Sequence, residues 1–440
     1  MNGFKIINTD DLGACRVVSP MAGRRTRFYQ GEGIARYNCT GELEQYESVR
    51  EIEFFELAGA RREIFFDPKA TTVGIVTCGG LCPGLNDVIR AITFCALEEY
   101  GVKRVLGFQY GYEGLVAGYY HPPVELNTES TDEIHERGGT ILKSSRGQQP
   151  TEEIVKTLRH YKVNILFTIG GDGTQRGARD ICEEVKKKGL PIAVVGIPKT
   201  IDNDISAIQR SFGFSTAVDT AWKIITSAHA EAKACRNGIG LVKLMGRESG
   251  WIAAAAALSN SNVNFCLVPE VPFEMDGPNG FIATLLRRMD RKDHAVIVIA
   301  EGAGQHLFND EHGQDKSGNK LLHDIGPLLK ERIQAGFQAV GREVNIKYFD
   351  PSYIIRSTPA NAGDSEYCLR LGNNAVHAGM AGKTNLIIGL HGDRLVHIPI
   401  PMIGKRKQID PNDWYWQSVL QATHQPAYMV SSPPPLAKDS

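Results

Sequence analysis

Ile165-Leu-Phe-Thr-Ile-Gly-Gly-Asp-Gly-Thr174 begins as an apolar run and ends in a carboxylate set between glycines. The run Ile165 to Ile169 reads as a buried strand, and Gln175 to Lys188 as the helix that follows it. A second segment repeats the design, with the apolar run Ile192 to Ile197 leading into Pro198-Lys-Thr-Ile-Asp-Asn-Asp204. Strand ends in an α/β sheet are where ligands bind, because loops there meet helix N-termini and exposed amides. Glycines let such a loop approach a polyphosphate closely. Asp172 is suited to a metal ion that keeps several waters and binds substrate phosphate; capping of the helix is the structural alternative. Lys199, Thr200, Asp202 and Asp204 gather a cation, a hydroxyl and two carboxylates, a costly cluster unless a ligand uses it. One aspartate can take a proton from an attacking hydroxyl while the lysine offsets phosphoryl charge. This is equipment for phosphoryl transfer.

Working outward, strand, loop and helix alternate from Thr72 onward. Val73 to Thr77 and Val105 to Phe108 read as strands, Leu85 to Glu99 and Thr151 to His160 as helices. Alternation of this kind predicts a parallel sheet with helices on both faces. A helix from Thr216 to Ala234 opens a second set, with strands near Ile239 to Leu244, Asn264 to Val268 and Ala295 to Ile299. Helices near Ser249 to Leu258 and Pro327 to Ala335 belong to it. A helix from Ser365 to His377 and strands near Leu386 to Ile388 and Leu395 to Ile398 return to the first set. The expected fold is α/β, two Rossmann-like lobes with mainly parallel sheets and a cleft between them. Residues 1–70 form an N-terminal extension, 71–212 one lobe completed by 357–400, 213–356 the other, and 401–440 a C-terminal tail that is irregular after Lys405.

At 440 residues the chain is too long for one ordinary core. Lys and Arg number 49 against 50 Asp and Glu, so no basic field for nucleic acid or an anionic membrane exists. The longest apolar runs, Ile252 to Leu258 and Ala295 to Ala300, are too short to cross a bilayer. Met1 to Val17 lacks the apolar region of a secretory signal, and Ala437-Lys-Asp-Ser440 matches no sorting tag. Nine cysteines without a repeating spacing argue for free thiols in a reducing compartment, the cytoplasm. Cys78 and Cys82 bracket a turn, but no second ligand pair accompanies them.

Further motifs end other strands. Gly79-Gly-Leu-Cys-Pro-Gly-Leu-Asn86 can present amides as an anion nest or make a plain tight turn; the dinucleotide fingerprint of six residues is missing. Arg247, in Met245-Gly-Arg-Glu-Ser-Gly-Trp251, opens an alanine-rich helix and is suited to an anion. Glu270 and Glu301 can accept sugar hydroxyls or sit in plain turns. Arg356, beyond the pair Ile354-Ile355, suits a phosphate. Lys186-Lys-Lys188 complements a helix C-terminus. His306, His312 and His323 show no metal spacing, lie in a stretch read as a surface loop and are given no role.

Together and in this order these motifs are specific. From Val73 to about Ile398 the chain resembles the 6-phosphofructokinases, through Gly79 to Asn86, Gly170 to Thr174, Pro198 to Asp204, Met245 to Arg247, Pro269 to Val271 and Tyr353 to Arg356. The resemblance implies that Gly80, Tyr112, Arg146, Gly171, Asp172, Gly173 and Thr174 contact ATP, with Mg2+ on Asp172. It implies catalytic roles for Asp202, Lys199, Gly80 and Arg146, with Asp202 as the base for the C1 hydroxyl. Fructose 6-phosphate would be held by Thr200, Asp202, Asp204, Met245, Gly246, Arg247, Glu301, Tyr353 and Arg356. The family is usually tetrameric, with sites completed across subunits; Lys347 stands where a neighbour's arginine is typical. Gly238 replaces another such arginine, and Tyr353 replaces a familiar histidine. Arg90 stands where related allosteric enzymes use an arginine for an effector phosphate.

The donor is read from Gly173 and Lys199. Pyrophosphate users carry an aspartate at the position of Gly173, which would crowd and repel the α-phosphate of ATP; the lysine is common in pyrophosphate users. The combination resembles a long-chain ATP-dependent branch. A pyrophosphate-dependent phosphotransferase and a non-catalytic nucleotide-sensing subunit are the alternatives. Small-molecule substrates, a homo-oligomer, and no nucleic acid or membrane partner are expected.

Overall fold

A computed structural model describes residues 3–24, 26–35, 51–308, 313 and 320–431. Along the chain, β1 (Gly3–Ile7), β2 (Gly33–Ala35) and β3 (Glu51–Glu56) precede the alternating region. There follow β4 (Thr72–Thr77), α1 (Leu85–Phe94), β5 (Arg104–Phe108), β6 (Val124–Leu126), α2 (Thr151–His160), β7 (Ile165–Gly170), α3 (Asp172–Lys187) and β8 (Ala193–Pro198). The next stretch holds α4 (Phe214–Lys233), β9 (Gly238–Leu244), α5 (Trp251–Ser259), β10 (Phe265–Leu267), α6 (Phe281–Arg291) and β11 (His294–Ala300). After these come α7 (Ile325–Ala339), β12 (Asn345–Phe349), α8 (Ser352–Ser357), α9 (Ala362–Met380), β13 (Leu386–His391), β14 (Arg394–Pro399) and α10 (Trp414–Thr423).

Two compact units result. The first takes residues up to Ile201, Ile205–Gly213 and Ser357–Lys405. Its seven-stranded sheet has the order β14-β13-β8-β7-β4-β5-β6, parallel from β13 to β5 and antiparallel at both edges. Alternate residues of β7 serve opposite faces. Ile165, Phe167 and Ile169 pack with Val88 and Ile92 of α1 and Leu371 of α9, while Leu166 packs with Val155 of α2 and Ile181 of α3. Burial on both faces explains why these strands are continuous apolar runs. Each large apolar side chain so buried contributes about 1.5–3 kcal/mol.

The second unit takes Asp202–Asp204, Phe214–Arg356 and residues from Arg406 on. Its four strands are all parallel, in the order β10-β11-β9-β12. Ile239, Leu241, Ile297 and Ile299 pack with Phe281 and Leu285 of α6 and Leu329 and Ile333 of α7. The α/β architecture with mainly parallel sheets therefore holds in each unit.

Several expectations change. Residues before 70 carry a sheet of their own, β1-β3-β2, in which Phe55 of β3 is buried. The tail after Lys405 is not irregular: Asp413 accepts the amide of Trp414 at 2.7 Å and starts α10, whose Trp416 and Val419 are buried. His306 and His323 are not loose either. His306 Nε2 lies 2.9 Å from the Phe273 carbonyl, and His323 stacks on Phe308 with ring centroids 4.3 Å apart. Arg25, His312, residues 36–50 and Ser432 to Pro435 lie outside the described residues. None of the described helices is long and apolar enough to cross a membrane.

Candidate active site

The register of the first unit brings three loops to one sheet edge. Ile169 pairs with Thr77 on one side and with Ile197 on the other, so the segments after β4, β7 and β8 leave side by side. The chain reverses its direction of travel across the sheet between β4 and β7, the position where ligand crevices form. Cys78 N donates to Ile169 O at 2.9 Å, and Lys199 N to Gly170 O at 3.0 Å. Lys199 is buried, and its Nζ donates to the carbonyl of Gly80 at 2.5 Å. Arg146 is exposed and stands beside Gly80, its Nη2 3.5 Å from where a β-carbon would lie there. Ser144 Oγ, two residues earlier, donates to Gly79 O at 2.6 Å. A glycine is required at Gly84, whose φ of 98° is left-handed and whose β-carbon would stand 2.6 Å from Cys368 Sγ.

Asp172 is the first residue of α3, after the N-cap Gly171. Its carboxylate therefore stands at the positive end of a 16-residue helix. Among the described residues no group of three or more His, Cys, Asp and Glu could hold a metal by itself. One carboxylate beside exposed loop amides would suit a magnesium ion that arrives with a polyphosphate. Gly173 is exposed, and a β-carbon there would meet nothing closer than Arg176 Nη2 at 3.8 Å. Thr174 is buried. Tyr112 lies beneath this loop, also buried, and donates its hydroxyl to Thr174 O at 2.7 Å. The described contact makes it a brace of the loop.

Gln175 is a site residue that sequence reasoning missed. Buried behind the loop, its Nε2 donates to Gly170 O at 2.9 Å and reaches Ile197 O at 3.4 Å. It thereby ties the ends of β7 and β8 together. Asn86 is a brace as well, donating to Arg137 O at 3.0 Å and accepting from Ile141 N at 2.9 Å. Cys78 and Cys82 are buried and joined in no disulfide, and Cys82 Sγ donates to Phe212 O at 3.4 Å. Arg90 donates to Asp132 O at 2.8 Å and lies over the Phe94 ring.

Thr200, held by Ser211 Oγ donating to its carbonyl at 2.5 Å, belongs to the first unit. From Ile201 the chain passes to Asp202 in the second. Burial pushes the Asp202 carboxyl well above the usual carboxylate range, and the negative charges of Asp204 and Glu301 push it further; Arg356 and Arg406 oppose them. In the same unit Leu244 pairs with Ala300, which places Met245 and Glu301 at neighbouring strand ends. Glu301 N donates to Leu244 O at 2.8 Å, and Gly302 N to Gly246 O at 2.9 Å. Gly246 has φ of 129°. Met245 is buried, and Arg247 donates to the Lys320 carbonyl from a loop before α5, not from the helix itself.

Arg356 lies on α8 beside Tyr353, 5.7 Å from its ring centroid, and Tyr353 is 80% exposed. Lys243, buried on β9, bonds Asp324 and Asp350 at 2.9 Å each, which anchors the start of α8. Lys347 is on the edge strand β12, opposite Gly240. At Gly238 a β-carbon would stand 1.9 Å from the Ala232 carbonyl, so the backbone leaves no room for an arginine. Glu270 braces two loops, its Oε1 accepting the amides of Gly250 and Ile409, both at 3.0 Å.

Residues 72–379 match the family described as phosphofructokinase. The ATP-dependent 6-phosphofructokinase of Borreliella burgdorferi is 48% identical over 446 residues, covering 97% of each chain. That of Amycolatopsis methanolica is 46% identical, covering 94% of each. That of Trypanosoma cruzi is 49% identical over 84% of this chain and 76% of its own. A pyrophosphate-dependent phosphofructokinase from Marinobacter aquaeolei shares the fold with a TM-score of 0.65, at 20% identity over 84% of this chain and 94% of its own.

Proposed function

The chain belongs to the phosphofructokinase family, and on that premise we propose that it transfers the γ-phosphoryl group of ATP to the C1 oxygen of fructose 6-phosphate, a kinase step of glycolysis. The observation that carries this reading is the convergence of Gly80, Asp172 and Lys199 on three adjacent loops, with Arg146 beside Gly80 and Asp202 three residues beyond Lys199. ATP is bound by the amides around Gly80 and Gly171 to Thr174 and by Arg146. A magnesium ion, when bound, would be held by Asp172 and would supply charge neutralisation to the polyphosphate.

Asp202 orients the C1 hydroxyl and removes its proton. Lys199, Arg146 and the amides near Gly80 take up charge on the moving phosphoryl group. Thr200, Asp204, Met245, Gly246, Arg247, Glu301, Tyr353 and Arg356 hold the sugar phosphate, and the pre-set positions supply most of the acceleration. The enzyme works as a tetramer in which Lys347 reaches a neighbouring copy's sugar phosphate, a role its edge strand permits. Its free thiols suit a reducing cytoplasm.

ATP is the donor because Gly173 leaves space for the α-phosphate and three relatives with the ATP-dependent name match over most of the chain. Lys199 is the feature that favours pyrophosphate. A coupled assay at saturating fructose 6-phosphate with each donor decides: turnover with ATP supports the reading, and turnover with pyrophosphate alone removes it.

A further inference from the structure

After Lys405 the chain enters the second unit, and its next four residues bind the acceptor loops in turn. Arg406 Nη1 pairs with Glu248 Oε1 at 2.9 Å, and its Nε stands 3.8 Å from Asp204 Oδ2. Lys407 N donates to Asp204 O at 2.7 Å, while Lys407 O accepts from Trp251 Nε1 at 3.0 Å. Gln408 Nε2 donates to Glu248 O at 2.8 Å. Ile409 N completes the set on Glu270 Oε1. Trp251 then packs on Tyr415 of α10, with ring centroids 5.1 Å apart. One short segment thus joins the 202–204 loop to the loop that carries Arg247.

The charges acting on Asp202 come from several elements. Asp204 shares its loop, Glu301 follows β11, Arg356 lies on α8, and Arg406 comes from the tail. Lys407 adds a cation facing Asp204; burial pulls its ammonium down to about 8, which Asp204 opposes. Its Nζ lies 5.3 Å from the centre of the Trp251 ring. A sugar phosphate bound at Arg356 brings its own negative charge and consumes that arginine's. Arg406, engaged with Asp204 and Glu248, stays with the carboxylates.

We infer that Arg406 is a positioning residue for the transfer: it fixes the Asp202–Asp204 loop against the Glu248 loop and keeps a positive charge beside the two aspartates while substrate occupies Arg356. This rests on the reading of Asp202 as the base. The role belongs to no motif of the alternating α/β region and comes from the C-terminal segment.

The experiment compares full-length wild type, Arg406→Gln and Arg406→Lys. The readouts are kcat/KM for fructose 6-phosphate across pH with saturating Mg-ATP, and ATP affinity by equilibrium binding. Arg406→Gln is expected to lower kcat/KM by about tenfold and to move the acid limb upward by roughly 1 pH unit, the low end for loss of a nearby opposite charge. ATP affinity stays at the wild-type value, and Arg406→Lys keeps the limb in place. A limb unmoved in Arg406→Gln, or moved equally in Arg406→Lys, overturns the role. The limb's position does not depend on the folded fraction, so a partly unfolded preparation shows the limb at the same pH. An inactive wild type removes the functional reading and this role with it; an active wild type with an unmoved limb removes the role alone.

Discussion

The ammonium of Lys199 donates to the carbonyl oxygen of Gly80 at 2.5 Å, so the end of one strand is tied to the glycine turn after another. A buried cation beside that turn is preorganised for charge developing on a phosphoryl group. Lys199→Met is expected to lower kcat by about 10²-fold or more, the scale for loss of one such donor. Single-turnover kinetics with Mg-ATP provide the check, and kcat within a factor of a few of wild type would strip Lys199 of the role.

Asp202→Asn keeps size and removes basicity. Turnover should drop by about 10²–10⁴-fold, with ATP binding and thermal unfolding unchanged. Calorimetric binding alongside steady-state rates separates this from misfolding. A variant that turns over at the normal rate would mean that another group takes the proton.

The raised pKa of Asp202 has a sign that can be tested. A base must be ionised, so kcat/KM rises with pH through the raised pKa and is lost below it. Burial and the charges of Asp204 and Glu301 hold that pKa up. Neutralising one of them in Asp204→Asn should slide the acid limb to lower pH, opposite to the shift expected for Arg406→Gln. The limb's position is the readout, because Asp204 is also a proposed substrate contact.

Gly173→Asp meets no steric barrier in the protein itself, since the nearest atom to a β-carbon is 3.8 Å away. The variant should fold normally and raise KM for ATP, because its carboxylate repels the α-phosphate. Donor kinetics with ATP and pyrophosphate measure this directly; an unchanged KM for ATP removes the donor argument.

Gly238→Ala places a methyl 1.9 Å from the Ala232 carbonyl unless the end of α4 shifts. Overpacking of this kind costs about 1–3 kcal/mol. A denaturant midpoint equal to wild type would show that the helix end yields freely.

Much of the donor side was legible because its signals are local. Apolar runs of strand length followed by glycine and aspartate mark β7 and β8, and parallel register then aligns their loops. Gln175 was not legible: a glutamine at the start of a helix looks solvated until the two strand carbonyls behind it are known. The bracing role of Glu270 was hidden in the same way, since a loop carboxylate carries no mark of the two amides its Oε1 accepts. Gly238 reads as a missing side chain in the sequence and as a lack of space in the fold. Arg406 meets Asp204 across a long separation along the chain, and an arginine between two lysines looks like an ordinary wet surface.

The two units are interleaved in the order of synthesis: the second begins before the first is finished and takes up Arg406 only after Lys405 has completed the other. A ribosome delivers such a chain out of step with its architecture. The Asp202–Asp204 loop therefore waits for a late arrival, and contacts of this span make folding slow relative to units built from neighbouring residues. Newly made protein should acquire ordered strands well before it acquires catalytic competence.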